Sequence, residues 1–164
     1  MSDQILTAQR LKELFHYDAE TGQFTRFPAN NIRRGQNCVG VIKSGYLTIG
    51  IDKKRYKAHR LAWLYVHGKW PNDQIDHING ERVDNRISNL RAATASQNKQ
   101  NARKARSDSR SGLIGAIWES RANKWRSHIR FEGKTKHLGY FDEAAQAHAV
   151  YIEAKRILHP FCTI

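Results

Sequence analysis

Apolar residues at Ile5, Ala8, Leu11, Leu14 and Phe15 recur with helical spacing and predict a short helix near the start of the chain. Thr7 stands where an N-cap accepts a backbone N–H, and Leu6 before it can staple onto Leu11. Tyr17 to Gly22 reads as a turn, with Asp18 as a local acceptor and Gly22 supplying a positive φ. Alternation of apolar and polar positions then predicts strands over Phe24–Phe27, Tyr46–Ile51 and Arg55–Ala58, the last two joined through Asp52-Lys53-Lys54 as a hairpin. Between them, Asn30 to Gly40 is polar, with Arg33 and Arg34 beside Gly35, and reads as either a DNA-facing or a solvated loop. Helical spacing returns over His59–His67, where Leu61, Leu64 and Tyr65 share a face with Trp63 and Val66 beside it; Gly68 and Trp70-Pro71 stop the helix.

The next stretch alternates from Gln74 to Ile78, turns at Asn79-Gly80, and resumes as a strand at Asn89-Leu90-Arg91. Thr94 to Gln97 has the form of a capping box that opens a helix. Simple alternation puts Asp76 and His77 on opposite faces, so a bulge or bend is expected there if both serve one site. Past the polar run Arg106 to Gly112, three antiparallel strands are expected at 114–118, 124–131 and 134–138, turning at Ser120–Asn123 and Glu132-Gly133. On the middle strand Trp125, Ser127 and Ile129 face one way and Lys124, Arg126, His128 and Arg130 the other. Trp125 therefore reads as core. Asp142 opens an Ala-rich helix with Ala144, Ala147, Tyr151, Ala154 and Leu158 toward the sheet, ended by His159-Pro160.

Charge changes the picture. The 164 residues hold 28 Lys and Arg against 15 Asp and Glu, a formal net charge of +13, which favours a polyanionic partner. Much of the excess is local, with eleven Lys and Arg against three acids between Lys99 and His137. No long apolar run or signal-like segment marks a membrane protein, so a non-membrane, intracellular and cytoplasmic chain is expected. Cys38 and Cys162 stand alone, without a Cys-x-x-Cys pair, so neither a disulfide framework nor a structural zinc is expected.

Candidate chemistry concentrates where an acid and an imidazole adjoin, Asp76-His77, followed by Asn89 and Asn98, 12 and 21 residues past the histidine. This spacing suggests a metal-dependent nuclease site. Phosphodiesters resist hydrolysis because their anionic oxygens repel the nucleophile and the alkoxide leaves poorly; a hard divalent cation answers both. Carboxylate and amide oxygens suit Mg2+ or Mn2+, with substrate and water completing the shell. An imidazole with an ordinary pKa near ~6.5 suits proton abstraction at neutral pH. His59 and Arg60, at a helix start, read either as phosphate contacts or as a pair that caps and packs.

The segment resembles the HNH endonucleases, in the branch of phage and intron-encoded homing enzymes, through Asp76-His77, Asn89 and Asn98; the preceding Ala58-His59-Arg60-Leu61-Ala62-Trp63 is similar to the run before the site in that branch. The resemblance implies a ββα-metal motif with Asp76 and Asn98 as metal ligands, His77 as general base and Asn89 fixing the loop. The strands and helix from Ser111 to Pro160 resemble an AP2 DNA-binding domain through Lys124-Trp125-Arg126, Gly133-Lys134, His137 to Asp142 and Ala144 to Tyr151. That resemblance implies a sheet laid in the major groove, with Trp118, Arg121, Arg126 and Arg130 as contacts; Ile117 stands where the family commonly has a base-reading Arg. Lys124, Lys134 and Lys136 on the same strands, and Arg103 and Lys104 before them, complete the expected DNA-binding set.

The expected protein is α+β. An N-terminal helix and small sheet (1–72) lead into the HNH core (73–105), a linker (106–111) and the AP2-like sheet and helix (112–164). The expected function is metal-dependent, site-preferring cleavage of double-stranded DNA by a monomer of nicking or homing type. A non-catalytic DNA-binding regulator on the same scaffold and an RNA-binding protein are the alternatives. Removing residues 111–164 is expected mainly to weaken binding and blunt its specificity.

Overall fold

A computed structural model of the chain describes residues 6–27 and 39–164. Ile5, the loop residues 30–38 with Arg33, Arg34 and Gly35, and Cys38 lie outside the described residues. The chain is α+β, with small antiparallel sheets and four helices among the described residues, and forms two compact units, Met1–Ala95 and Ser96–Ile164.

In the first unit, helix α1 (Ala8–Leu14) starts where expected, the Thr7 hydroxyl accepting from the Arg10 N–H at 3.1 Å. It ends one residue early. Phe15, which continues the apolar face of a helix, is instead extended and opens strand β1 (Phe15–Asp18), paired antiparallel with β2 (Gln23–Arg26). Phe15, Tyr17 and Phe24 bury their rings together, and this packing outweighs the helical count. The sequence pattern misses β1 for that reason, and the turn is correspondingly shorter, beginning after Asp18.

Strands β3 (Val41–Lys43), β4 (Tyr46–Ile51) and β5 (Lys54–Lys57) form an antiparallel sheet. Asp52 and Lys53 both take positive φ, 46° and 64°, so the β4–β5 reversal has the left-handed pair of a tight hairpin turn. All of β3 is exposed, which is why no burial alternation announces it. Helix α2 (Ala58–His67) follows at once and stops at Gly68, left-handed with φ 73°, whose N–H reaches the Leu64 carbonyl. Ala58, Leu61, Ala62 and Leu64 sink into a core with Leu6, Leu11, Phe15, Phe24, Ile49, Ile51, Ile75 and Leu90. Leu6 and Leu11 both join that core, as a staple requires.

Strand β6 (Gln74–His77) pairs antiparallel with β7 (Leu90–Ala93), a single 3-10 turn (Ile87–Asn89) leading into β7, and α3 (Ala95–Gln100) follows directly after Thr94. The strand, strand, helix order is the expected one. The expected bulge is absent: Gln74, Ile75, Asp76 and His77 face Ala93, Ala92, Arg91 and Leu90 in unbroken register. The irregularity falls one residue later, where the Gly80 N–H turns back to the His77 carbonyl at 2.9 Å. His77 closes the strand, so its ladder needs no extra residue.

The second unit holds β8 (Ala116–Glu119), β9 (Lys124–Phe131) and β10 (Lys134–Phe141), with β9 central, and helix α4 (Ala144–Leu158) packed on one side. Ser127 and Ile129 are buried beneath Ala147 and its neighbours, as the alternation predicts. Gly115, at φ +81°, lies where any Cβ would run into the Tyr151 ring, so only glycine lets the helix come this close. His148 Nδ1 sits 2.7 Å from the Ile114 carbonyl and His159 Nε2 2.9 Å from that of Arg130, pinning the helix at both ends. Glu143, not Asp142, occupies the N-cap position.

Candidate active site

Asp76 and His77 leave β6 for a nine-residue connection whose shape is fixed by asparagine side chains. Asn89 is central to it. Its Oδ1 accepts from the Asn79 N–H at 2.9 Å, its Nδ2 donates to the Asp84 carbonyl at 2.9 Å, and its own carbonyl receives the Ile78 N–H at 2.9 Å. Asn79 Nδ2 donates to Asp84 Oδ2 at 2.7 Å while Asn79 Oδ1 takes the Glu81 N–H at 2.8 Å. Arg86 pairs with Asp84 at 2.6 Å, and that contact holds the Asp84 carboxyl at about 2, below its ordinary range. Asn89, buried at 7% exposure, thus clasps both ends of the loop, the physical content of a loop-fixing residue. Replacing Asn89 by Ala strands two half-buried backbone groups, the Asn79 N–H and the Asp84 carbonyl, and should lower unfolding stability by about 1–3 kcal/mol, measured by urea denaturation.

Asp76 is 5% exposed, and Arg91 directly across the ladder donates to its Oδ2 through Nε at 2.9 Å and Nη2 at 2.8 Å. A side chain so held by a charge-assisted pair keeps one orientation. His77 is also 5% exposed. Its Nε2 lies 3.4 Å from Asn85 Oδ1, whose amide nitrogen is occupied by the Val83 carbonyl at 3.0 Å. That contact favours the tautomer with the proton on Nε2, which leaves the lone pair on Nδ1. Burial is the main force that pushes the His77 imidazole below its ordinary pKa, partly opposed by Asn85 and by Asp76, so the ring is neutral at neutral pH.

Three residues that spacing does not reveal brace this arrangement: Asn85, Tyr17 and Gly22. Asn85 is 1% exposed, and its carbonyl accepts the Tyr17 hydroxyl at 2.7 Å from 68 residues away. Burial in turn raises the Tyr17 hydroxyl well above its ordinary pKa and keeps it a donor. Gly22 packs so tightly on the Asn85–Arg86 backbone that no Cβ would fit. The β1–β2 hairpin is therefore a buttress for the histidine loop.

His59, read as a candidate phosphate contact, is 4% exposed, and its ring meets that of His77 edge-on at 4.9 Å. It is a neighbour of His77 inside the unit. Burial first, then the adjacent His77, lowers its pKa to about 3. Unfolding restores an ordinary histidine near ~6.5, so the unfolded chain binds the extra proton between those values, and stability is full above pH ~6.5 and falls as pH drops toward 3. Asp84, depressed toward 2, contributes its loss only below the ordinary carboxylate range. Urea midpoints should therefore fall already between pH 7.5 and 5, and His59→Gln should flatten that decline. Arg60 turns back to the α2–β6 connection, donating to the Asp73 and Pro71 carbonyls at 3.3 and 3.4 Å with Trp70 beneath. Packing explains both residues of that pair.

Asn98 lies on α3 in the second unit, half-buried. The chain just past it is anchored to the far end of the same unit: Asn101 Oδ1 accepts the Thr163 hydroxyl at 2.8 Å, Arg103 donates to Thr163, and the buried Lys155 ammonium donates to the Ala102 carbonyl. Arg103, expected at DNA, is engaged here, while Lys104 is exposed. Among the basic candidates of the sheet, Lys124, Arg126 and Arg130 share the side away from α4, where Lys124 meets Asp142 at 3.1 Å and Arg126 meets Glu119 at 3.2 Å. Trp118 does not join them: it pairs across the ladder with Trp125, ring to ring at 5.2 Å, under the Arg110 guanidinium. Lys134 and Lys136 stand opposite Phe131 and Ile129 on the edge strand, so they too alternate to the other side, though exposed. Arg121 is exposed in the β8–β9 turn.

Residues 56–100, which run from the end of β5 through α2 and the β6–β7 pair to α3, match the family model described as HNH endonuclease. The chain carries an HNH endonuclease domain at residues 56–100. It is 35% identical over 86 residues to Protein 3.8 of Escherichia phage T7, an alignment that covers 50% of this chain and 70% of that protein. It is 40% identical over 68 residues to the uncharacterized HNH endonuclease L247 of Acanthamoeba polyphaga mimivirus and 32% identical over 111 residues to L560 of the same virus. These alignments cover 37% and 66% of the chain but only 17% and 56% of the two viral proteins. No solved structure matches the chain.

HNH nucleases use a divalent metal ion, and the donor set suits a hard one. Among the described residues no three or more His, Cys, Asp and Glu side chains gather as a metal-holding group. Within the first unit the fixed carboxylate of Asp76 is an oxygen donor of the kind that suits a hard ion. Among the described residues no helix is long and apolar enough to cross a membrane.

Proposed function

We propose that the chain is a metal-dependent, site-preferring DNA endonuclease that hydrolyses phosphodiester bonds in duplex DNA, of nicking or homing type, leaving 5′-phosphate and 3′-hydroxyl ends. The observation that carries this reading is the buried, neutral imidazole of His77 held by Asn85 beside a carboxylate fixed by Arg91, within the stretch that matches the HNH family.

In this reading His77 takes a proton from the attacking water, the role a neutral imidazole performs best near pH 7. Asp76 and Asn98 would hold Mg2+ or Mn2+, and Arg91 keeps the Asp76 carboxylate aimed. The ion, when bound, neutralises phosphate charge and stabilises the departing oxygen. Asn89 keeps the connection after His77 from shifting. The sheet of the second unit is the DNA-reading module, with Lys124, Arg126 and Arg130 on its open side and Arg121 at its turn; strands β8 to β10 followed by α4 are the element order of an AP2-like domain and support that reading. A monomer with one base cuts one strand at a time, and the phage and viral relatives favour a host-cell cytoplasmic setting.

Supercoiled plasmid at low salt is the direct test. Open circles should accumulate with Mg2+ or Mn2+ and cease with EDTA; a chain that leaves the plasmid supercoiled with both ions is not a nuclease.

A further inference from the structure

Beside His77 lies a group that the proposed chemistry does not use. The Tyr46 ring, at the start of β4, stands 5.3 Å from the His59 ring and 6.2 Å from that of His77. Two cations converge on it from different parts of the unit. Lys57 Nζ, at the end of β5, is 4.2 Å from the ring centroid, and the Arg82 guanidinium carbon, on the β6–β7 connection, is 5.0 Å away. Arg82 also runs along Gly45, where an added Cβ would stand 3.6 Å from its Nη1. Both side chains are exposed, and neither meets a carboxylate within 4 Å among the described residues.

Such a pairing has a chemical consequence. An aromatic face attracts a cation by its quadrupole but accepts no strong hydrogen bond, so the N–H groups stay available for another acceptor. Gathering two like charges at one ring also raises the local potential, which an anion between them would relieve. An arginine fork with a mobile ammonium is the combination that grips phosphate oxygens. The charges reach the histidines as well: Arg82 disfavours protonation of His77, and Lys57 that of His59.

We infer that Lys57 and Arg82, gathered on Tyr46, form a cradle that seats a backbone phosphate of duplex DNA against His77. Its catalytic half rests on the nuclease reading above: the cradle positions the strand so that the water beside His77 faces phosphorus. Neither cation takes a proton or leaves with product. They are positioning residues.

Two measurements on the full chain test this. In EDTA, binding of a short duplex is followed at graded salt; Lys57→Gln with Arg82→Gln should make the slope of log K against log salt shallower by about 1.8, since each lost phosphate contact removes about 0.9. With Mg2+, the same double variant should nick at saturating DNA about 100-fold more slowly, the scale of a misplaced reactant, and Arg82→Lys should recover part of the rate. Lys12→Gln removes a cation 5.2 Å from another ring, that of Tyr65, and should change neither reading. If the double variant keeps the wild-type slope, or lowers it no more than Lys12→Gln does, the cradle is overturned. A reduced slope with unchanged nicking at saturation overturns its placement at His77. A wild-type chain that never nicks, while the slope still falls by about 1.8, overturns the nuclease reading and upholds the phosphate cradle.

Discussion

His77→Ala is expected to slow plasmid nicking by about 100- to 10,000-fold, the range that a positioned general base supplies, with duplex affinity in EDTA unchanged. The size of the effect follows from where the ring sits. At 5% exposure, with Nε2 against Asn85 and the edge of His59 beside it, the imidazole has one orientation and stays neutral. An alanine leaves no group there to accept the proton. Binding draws on charge spread over the chain, which the substitution does not touch, so the loss should fall on turnover and not on affinity. His77→Gln keeps more of the packing volume and should be as inactive. Nicking at the wild-type rate by either variant would remove His77 from the role of base.

Deleting residues 111–164 should abolish nicking, by more than 100-fold even at DNA concentrations that restore binding. On sequence alone this deletion is expected mainly to weaken and de-specify binding. The structure changes that expectation, because the turn after α3 is tied to what would be removed: Lys155 donates to the Ala102 carbonyl, and Thr163 to Asn101. Alpha-helical segments of six residues do not persist alone, so α3 and with it Asn98 would lose their fixed place. Thr163→Val separates the two effects. It leaves Lys124, Arg126 and Arg130 intact and should reduce nicking several-fold while duplex affinity holds. If the deletion variant nicks normally once saturated, the C-terminal unit serves binding alone.

Periodicity carries far where burial is one-sided. Helix α2, strands β4, β5 and β9, and the placement of Ser127 and Ile129 under α4 all follow from counting apolar positions. Asp76, His77 and Asn89 stand out because their side-chain types and spacing are unusual together. What escapes is set by contacts distant in sequence. Phe15 counts as the last turn of a helix until Phe24 and Tyr17 claim it for a hairpin. Exposed β3 has no apolar face to count. Asn85 looks like one more loop asparagine, yet Tyr17, 68 residues earlier, makes it the support of His77. His59 at a helix start carries the signature of an anion contact, and only packing shows it inside. Trp118 likewise follows Trp125 to the covered side of the sheet, a consequence of the β8–β9 register that strand assignment by itself leaves open.

The bond between Asn101 and Thr163 also orders events in time. A ribosome lays down Asn101 first and reaches its partner 62 residues later, about 3 to 12 s at ordinary rates of synthesis. During that interval the growing chain already contains Asp76, His77 and Asn98, while the turn behind Asn98 still lacks its anchors. On the nuclease reading, the turn behind Asn98 is secured only once Thr163 has been made, so the fixed form of that turn comes later than the residues it holds.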